Sequence, residues 1–249
     1  VDGNEVTTKK GHYNVFPVRP GAPVPDAKEE DRAKLLDSIR ASGATVAILN
    51  HPRSVHDKFV PFAPPHFDGA TGADVGGAGF DAVELLNSGA LRSDWMEVYR
   101  DWFALLNRGV RVVGVGSSDS HDVSRFIVGQ GRTYVACRDD DAAAIDVDAA
   151  CESFLEGRAL VSMGLLAQLT VNERFGVGDL ATGLGGELRV NVVVLGPSWV
   201  TADRVELFAN GAKIREQKIE ATQTVEKSPV ESTMNAVLEA PARARRRAL

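Results

Sequence analysis

The chain runs Val110-Arg111-Val112-Val113-Gly114-Val115 and continues as Gly116-Ser117-Ser118-Asp119-Ser120-His121. The first half is an apolar run, which predicts a buried strand. That strand ends in small residues and then presents an aspartate and a histidine two positions apart. A carboxylate and an imidazole on a strand-end loop are a common way to hold a divalent metal. The same pair is also typical of an ordinary polar turn, so its meaning depends on the rest of the chain.

Other potential metal ligands lie near predicted strand ends. Glu5 lies in a predicted first strand, His12 follows it, and His51 comes directly after an apolar strand. Sites in parallel α/β folds gather at the carboxyl ends of strands. We therefore predict that a metal site with ligands suited to Zn²⁺, Mn²⁺ or Fe²⁺ forms there. Its candidate ligands are Glu5, His12, His51, Asp119 and His121.

The alternative for each candidate is an ordinary structural role. His51, which precedes a proline, can simply cap its strand, Asp119 and His121 can form an ordinary turn, and Glu5 alone is a charged strand residue. His56 and His66 lie in a long polar stretch rich in Gly and Pro, residues 53–79. We interpret both as solvated surface residues, and we expect this stretch to form a loop that shapes the pocket.

The first two thirds of the chain alternate between predicted strands and helices. Continuous apolar strands separated by helices favour parallel pairing in an α/β layer or barrel. The predicted helices span residues 31–42, a segment from Asp94 to the stop at Gly109, and 146–156. The predicted strands are 4–8, 46–49, 82–86, 111–115 and 133–136.

The pattern changes after about residue 166, where apolar and polar residues alternate along strands and Asn210-Gly211 gives a strong hairpin signal. We predict a domain over residues 1–165 and a small antiparallel, β-sandwich-like domain over 166–239 that ends before it is complete. Residues 240–249 are an Ala/Arg-rich tail without a strand pattern, interpreted as a frayed helix or the product of a truncated reading frame.

Composition excludes several classes of function. The 249 residues carry a net charge of −6, which disfavours binding to a polyanion such as nucleic acid. No run approaches the length of a membrane helix. The two cysteines, Cys137 and Cys151, are too few for a disulfide framework, and both are predicted to be small core residues.

Several short motifs follow one another in a recognisable order. They are Glu5-Val6-Thr7-Thr8, Gly11-His12-Tyr13-Asn14-Val15-Phe16-Pro17, Asn50-His51-Pro52-Arg53 and Gly116-Ser117-Ser118-Asp119-Ser120-His121, with further agreement at 83–87, 131–135 and 157–164. In this order they resemble the PHP (polymerase and histidinol phosphatase) superfamily, most closely its CehA/McbA-like branch. The resemblance covers about residues 1–165, with weaker agreement to about residue 215.

This resemblance implies a distorted (β/α)7 barrel with two or three divalent metals. It implies that Glu5 bridges two metals, that His12 and His51 complete one site and that Asp119 binds the other metal. His121 would bind a further metal or act beside it as a catalytic residue. Arg53 is a candidate catalytic clamp for a phosphate or carboxylate, whereas a surface ion pair is slightly favoured for Arg125.

The family also carries a His-x-His pair on its first strand, and none lies before Glu5 in this chain, which begins at Val1 in a predicted strand. Either the native protein extends upstream, with the barrel's first strands missing here, or the lineage has lost its first site. The opening in mid-strand favours a fragment. A chain without those ligands would bind metal weakly and turn over poorly.

The resemblance implies metal-dependent hydrolysis of a small-molecule substrate. The first expectation is a phosphomonoester or phosphodiester attacked by a metal-bound hydroxide, with His121 or a nearby acid protonating the leaving group. The alternatives are a carbamate, amide or ester hydrolase of the same branch, and a degenerate module that binds a carbohydrate or a protein without catalysis.

Overall fold

The computed structural model describes residues 1–74, 79–89, 94–219 and, as a backbone strand, 230–239. It divides into two compact units, Val1–Val161 and Ser162–Leu249. The boundary between the units lies near the one expected at residue 165. The predicted tail at 240–249 lies outside the described residues.

The first unit is organised around a mixed five-stranded sheet in the order β1-β2-β3-β6-β7. Strand β2 pairs antiparallel with both β1 and β3, whereas β3, β6 and β7 run parallel. Two further pairs, β4-β5 and β8-β9, lie beside this sheet as two-stranded ladders. The strands are β1 Asn4–Thr8, β2 Gly11–Phe16, β3 Val46–Asn50, β4 Phe67–Asp68, β5 Ala73–Asp74, β6 Ala82–Leu86, β7 Val113–Gly116, β8 Arg132–Val135 and β9 Ala159–Ser162.

The predicted (β/α)7 barrel is wrong. Within the described residues the main sheet stays open, with β1 and β7 as its outer strands, and the helices are few and short. The physical reason lies in β2, which the sequence interpretation did not assign. A two-residue turn at Lys9 and Lys10 folds β2 back on β1, and β2 then pairs with β3. A hairpin at this point replaces the helical crossover that parallel pairing needs.

Three helices are described, and the sequence predicted each of them. They are α1 Arg32–Ala41, α2 Met96–Asn107 and α3 Val147–Leu155. The Asp31 side chain caps α1, and the Asp146 side chain caps α3, by accepting hydrogen bonds from backbone N–H groups of the first turn. Among the described residues, no helix is long and apolar enough to cross a membrane.

Each face of the main sheet packs against its own hydrophobic cluster. Side chains alternate between the two faces along a strand, so Tyr13 and Val15 of β2 enter one cluster while Phe16 packs with the other. The first cluster includes Leu35 and Ile39 of α1. The second includes Cys151 and Phe154 of α3 together with Val46, Ile48, Ala82, Val113 and Val115. The second face also carries the candidate site.

The two cysteines differ in their surroundings. Cys151 is buried in the second cluster, as predicted, whereas Cys137 is exposed, so the prediction of a core role for Cys137 is wrong. Cys137 lies just past the end of β8 rather than within it, where no second layer covers it.

The second unit is antiparallel wherever its strands are described. Strands β10, β11 and β14 form one sheet, and β12 and β13 form the hairpin predicted at Asn210-Gly211. Both turn residues have positive φ, 52° and 82°, as a tight hairpin of this kind requires. A core of Val190, Val192 and Val194 lies along β11. The strands are β10 Leu166–Val171, β11 Glu187–Gly196, β12 Arg204–Ala209, β13 Ala212–Lys218 and β14 Val230–Glu239.

Candidate metal centre

Three histidines form a cluster that could hold a metal ion. One ring nitrogen from each of His12, His51 and His56 lies within 4.8 Å of those of the other two. The ring centroids are 4.9 Å apart for His12 and His51, 4.5 Å for His12 and His56, and 5.2 Å for His51 and His56. Within the described ranges, no other set of three His, Cys, Asp or Glu side chains comes as close together.

Unpaired nitrogens show that these residues suit a metal. Nδ1 of His51 and Nε2 of His56 are both buried, and neither has a hydrogen-bond partner. A buried polar atom without a partner costs about 1–3 kcal/mol. A cation bound at an unpaired ring nitrogen removes this cost, and neutral imidazoles are suitable ligands for Zn²⁺ and other transition metals.

The sheet register brings two of the three histidines together. His12 of β2 lies directly opposite Asn50 of β3, and His51 is the next residue after Asn50. The backbone N–H of His51 donates to Oε2 of Glu84 at 2.7 Å. His51 has a φ of 25°, a value that side-chain-bearing residues rarely adopt. Strained backbone of this kind persists where surrounding contacts impose it, and it clusters at functional sites.

The third histidine of the cluster, His56, is buried, so our interpretation of it as a solvated residue is wrong. His56 is only 6% exposed. Its backbone exchanges hydrogen bonds of 2.6 and 2.7 Å with Phe59 across a tight turn at Asp57 and Lys58, both of which have positive φ. The available sequence signal was a second histidine five residues after His51.

Glu5 contacts the cluster through His12. Its Oε1 lies 3.2 Å from Nδ1 of His12. A carboxylate on one nitrogen fixes the orientation of an imidazole and makes its other nitrogen a better metal ligand. Glu5 therefore lies beside the three-histidine set, and the bridging role that the resemblance implied stays a prediction.

Asp119 and His121 line the same cavity as the cluster. This open cavity has a volume of about 730 Å³, and all five predicted ligands as well as His56 contribute to its wall. Nδ1 of His121 lies 2.9 Å from the backbone oxygen of Asp119. Because a carbonyl only accepts hydrogen bonds, Nδ1 carries the hydrogen and Nε2 is left to exchange a proton with a ligand.

Glu84 is a site residue that sequence reasoning did not select. It is 4% exposed, and it accepts hydrogen bonds from the backbone of His51, from Asn87 and from the Ser117 hydroxyl. Burial raises the pKa of Glu84, while the hydrogen bonds from Ser117 and His51 oppose that rise. The signal was a single acidic residue inside an otherwise apolar strand, β6.

Two arginines were also considered at the sequence level. Arg53 makes a bidentate pair with Asp101, at 2.7 Å for both bonds, and lies 3.2 Å from Glu97. It does not contribute to the wall of the histidine cavity. Arg125 pairs with Asp122 at 3.0 Å on the surface, the alternative that we slightly favoured.

The electrostatics of the cluster favour the neutral forms of His12 and His56. Burial, together with repulsion from the other two histidines, lowers the pKa of His56 to about 4. Burial and His51 also lower the pKa of His12, against a smaller raising effect from Glu5. A neutral imidazole is the form that binds a metal, so at pH 7 these two side chains need lose no proton to do so.

One consequence is a pH-dependent stability of the metal-free protein. With His56 titrating near pH 4 when folded and near 6.5 when unfolded, the unfolded state binds the extra proton between these values. We expect the free energy of unfolding in chelator to be fully retained above pH 6.5 and to fall toward pH 4, with a slope from this group approaching about 1.4 kcal/mol per pH unit. Urea unfolding at several pH values measures it. His56→Gln should flatten the dependence and His66→Gln should not; equal slopes in the wild type and His56→Gln would contradict the assignment.

Comparisons with known proteins add no relative. No family model matches the chain, and neither the curated proteins nor the solved structures contain a match to it. The functional argument therefore depends on the geometry of the histidine cavity.

Proposed function

We propose that this chain is a metal-dependent hydrolase whose metal is held by His12, His51 and His56. The observation that carries the proposal is the pair of buried, unpartnered imidazole nitrogens, one on His51 and one on His56, within an open cavity. Three protein ligands with an accessible remaining position are typical of catalytic zinc sites, whereas structural zinc sites are closed by four ligands. Zn²⁺ is the first choice of metal for three imidazoles, with Fe²⁺ and Mn²⁺ after it.

The cavity also supports hydrolysis through its other side chains. When bound, a divalent metal supplies Lewis-acid activation of water and of an ester oxygen. Glu5 holds His12 in the ligating orientation. His121, hydrogen-bonded through Nδ1, can in its imidazolium form donate the Nε2 proton to the departing oxygen and so become neutral. Asp119, with a φ of 47°, lies where its charge acts on His12 and Glu84.

The acidic side chains around the cavity make the binding of an anionic substrate depend on a bound metal cation. Glu5, Asp57 and Asp119 line it, and Lys9, which lies 3.5 Å from Asp57, is the cationic side chain among the lining residues. An anionic phosphate ester would be repelled by this wall without a bound cation. A divalent cation held by the histidines would offset this repulsion. On the resemblance to the PHP superfamily we propose a phosphate ester as the first substrate class, with uncharged carboxylic or carbamic esters, which this acidic wall does not repel, as the second.

The test uses the whole chain after treatment with chelator. We expect calorimetric titration with Zn²⁺ or Mn²⁺ to show tight binding of one ion per chain, and the loaded protein to hydrolyse bis(p-nitrophenyl) phosphate. Hydrolysis of p-nitrophenyl esters without hydrolysis of the phosphodiester would select the acyl alternative. Tight metal binding with no turnover of either substrate would favour a non-catalytic module, and absence of metal binding would overturn the proposal.

A further inference from the structure

A second cavity lies on the same face of the main sheet as the histidines. It is open, has a volume of about 460 Å³ and is lined mainly by apolar side chains. Phe16 of β2, Ile48 of β3, Val115 of β7 and Phe154 of α3 contribute to its walls. Cavities of about 300–1,000 Å³ with apolar walls and a few polar groups are typical sites for small organic ligands.

Three polar groups of this cavity lie on neighbouring strands, and Ser117 and Thr133 add two hydroxyls. Asn14, Asn50 and Glu84 contribute to the lining from β2, β3 and β6. Asn50 is 4% exposed, and its buried Oδ1 has no hydrogen-bond partner. An unpaired amide oxygen in a largely apolar cavity favours a ligand that brings a hydrogen-bond donor with it.

The strand geometry connects this cavity to the histidine cluster. Residues two apart on a strand point to the same face, so His12, Asn14 and Phe16 follow one another along β2. Asn50 immediately precedes His51, and Glu84 accepts a hydrogen bond from the backbone of His51. The histidines therefore border the polar edge of the cavity, and the apolar walls continue along the same face.

We propose that this cavity binds the apolar alcohol portion of the ester that the metal centre hydrolyses, and that this portion is a phenol or a compact branched alcohol. The inference depends on the proposed function for its reaction. In that reaction the oxygen of water joins the phosphorus or acyl carbon, the bond to the alcohol oxygen breaks, and that oxygen takes up a proton. The resulting hydroxyl can donate to Oδ1 of Asn50, while the ring or branched chain packs against the apolar walls.

The test separates alcohol binding from catalysis by using chelator-treated protein and 4-ethylphenol as the probe. We expect saturable shifts of the methyl NMR signals of Ile48 and Val115, without comparable shifts in Val190 and Val192 of the second unit. With the metal-loaded protein, 4-ethylphenyl phosphate should have a KM at least 10-fold below that of methyl phosphate. If the Ile48 and Val115 signals of the wild-type protein stay unchanged at millimolar 4-ethylphenol, the inference is overturned.

Two neighbouring alanines of α3 provide a matched pair of variants. Ala150 lines the cavity, whereas Ala149 is exposed. We expect Ala150→Phe to weaken binding of 4-ethylphenol at least 10-fold and to remove the KM preference, and Ala149→Phe to change neither. Equal binding by the two folded variants would contradict the inference. If the protein binds 4-ethylphenol but no metal, the cavity assignment is kept and the proposed hydrolase is rejected. If it shows metal-dependent turnover but does not bind 4-ethylphenol, the hydrolase is kept and the cavity assignment is rejected.

Discussion

Replacing His56 by alanine should weaken the binding of Zn²⁺ by more than about 100-fold. The loss of a residue that merely supports a metal ligand typically costs 10–100-fold in affinity, and the loss of a ligand should cost more. His56 contributes one of three nitrogens that lie within 4.8 Å of one another. Calorimetric titration of chelator-treated wild type and variant measures the ratio, and hydrolysis should fall with the bound metal.

Two comparisons make this result specific. His66→Ala removes a histidine from the same stretch of chain, at a position outside the cluster, and should leave metal affinity unchanged. Glu5→Ala should cost about 10–100-fold, because Glu5 contacts Nδ1 of His12. If His56→Ala retains wild-type affinity while Glu5→Ala loses all metal, the ligand set is centred on Glu5, as the resemblance implied, and the three-histidine set is wrong.

Replacing Arg53 by leucine should destabilise the first unit by about 3 kcal/mol. Asp101 of α2 is 2% exposed, and both of its carboxylate oxygens accept hydrogen bonds from Arg53. Removing one partner of a buried pair leaves an uncompensated charge, which typically costs 3–5 kcal/mol. Burial raises the pKa of Asp101 while Arg53 lowers it, so the variant can protonate this carboxyl and recover part of the loss. Urea unfolding at pH 7 measures the change.

The same helix offers a matched control. Arg100 pairs with Asp94 at 2.7 Å, and both side chains are more than half exposed. Arg100→Leu should therefore cost less than about 1 kcal/mol. The double variant Arg53→Leu with Asp101→Leu should recover part of the lost stability, because no buried charge is left alone. Wild-type stability in Arg53→Leu together with a raised KM would instead support the predicted anion clamp.

Most helices and strands of the fold were predictable from the sequence, but the predicted pairing of the strands was wrong. The three described helices and the strands at Asn4–Thr8, Val46–Asn50 and Ala82–Leu86 follow from local apolar patterns and capping residues. Strand β2 was overlooked because Gly11–Phe16 mixes polar and apolar residues instead of forming a continuous apolar run. In the structure its side chains alternate between buried and half-buried positions. That one strand changes the sheet from parallel to mixed, and it leaves the sheet open where a barrel was expected.

The location of the candidate site was predictable from residue types near strand ends. Which side chains form the histidine cluster was not. Glu5, His12, His51, Asp119 and His121 do line one cavity. Membership in the histidine set depends on a turn that buries His56 and on a register that places His12 opposite Asn50. Arg53 was selected for its chemistry, yet its partner lies 48 residues away on α2.

The amino-acid sequence by itself determined the local features of this protein: the aspartates that cap α1 and α3, the Asn210-Gly211 hairpin and the placement of histidines beside strand ends. These depend on contacts within a few residues, and local stereochemistry decides them. Only the tertiary structure decided the direction of pairing of β2, the burial of His56 and the partner of Arg53. Each of these depends on contacts between distant segments, which form only when the hydrophobic faces of the sheet are covered.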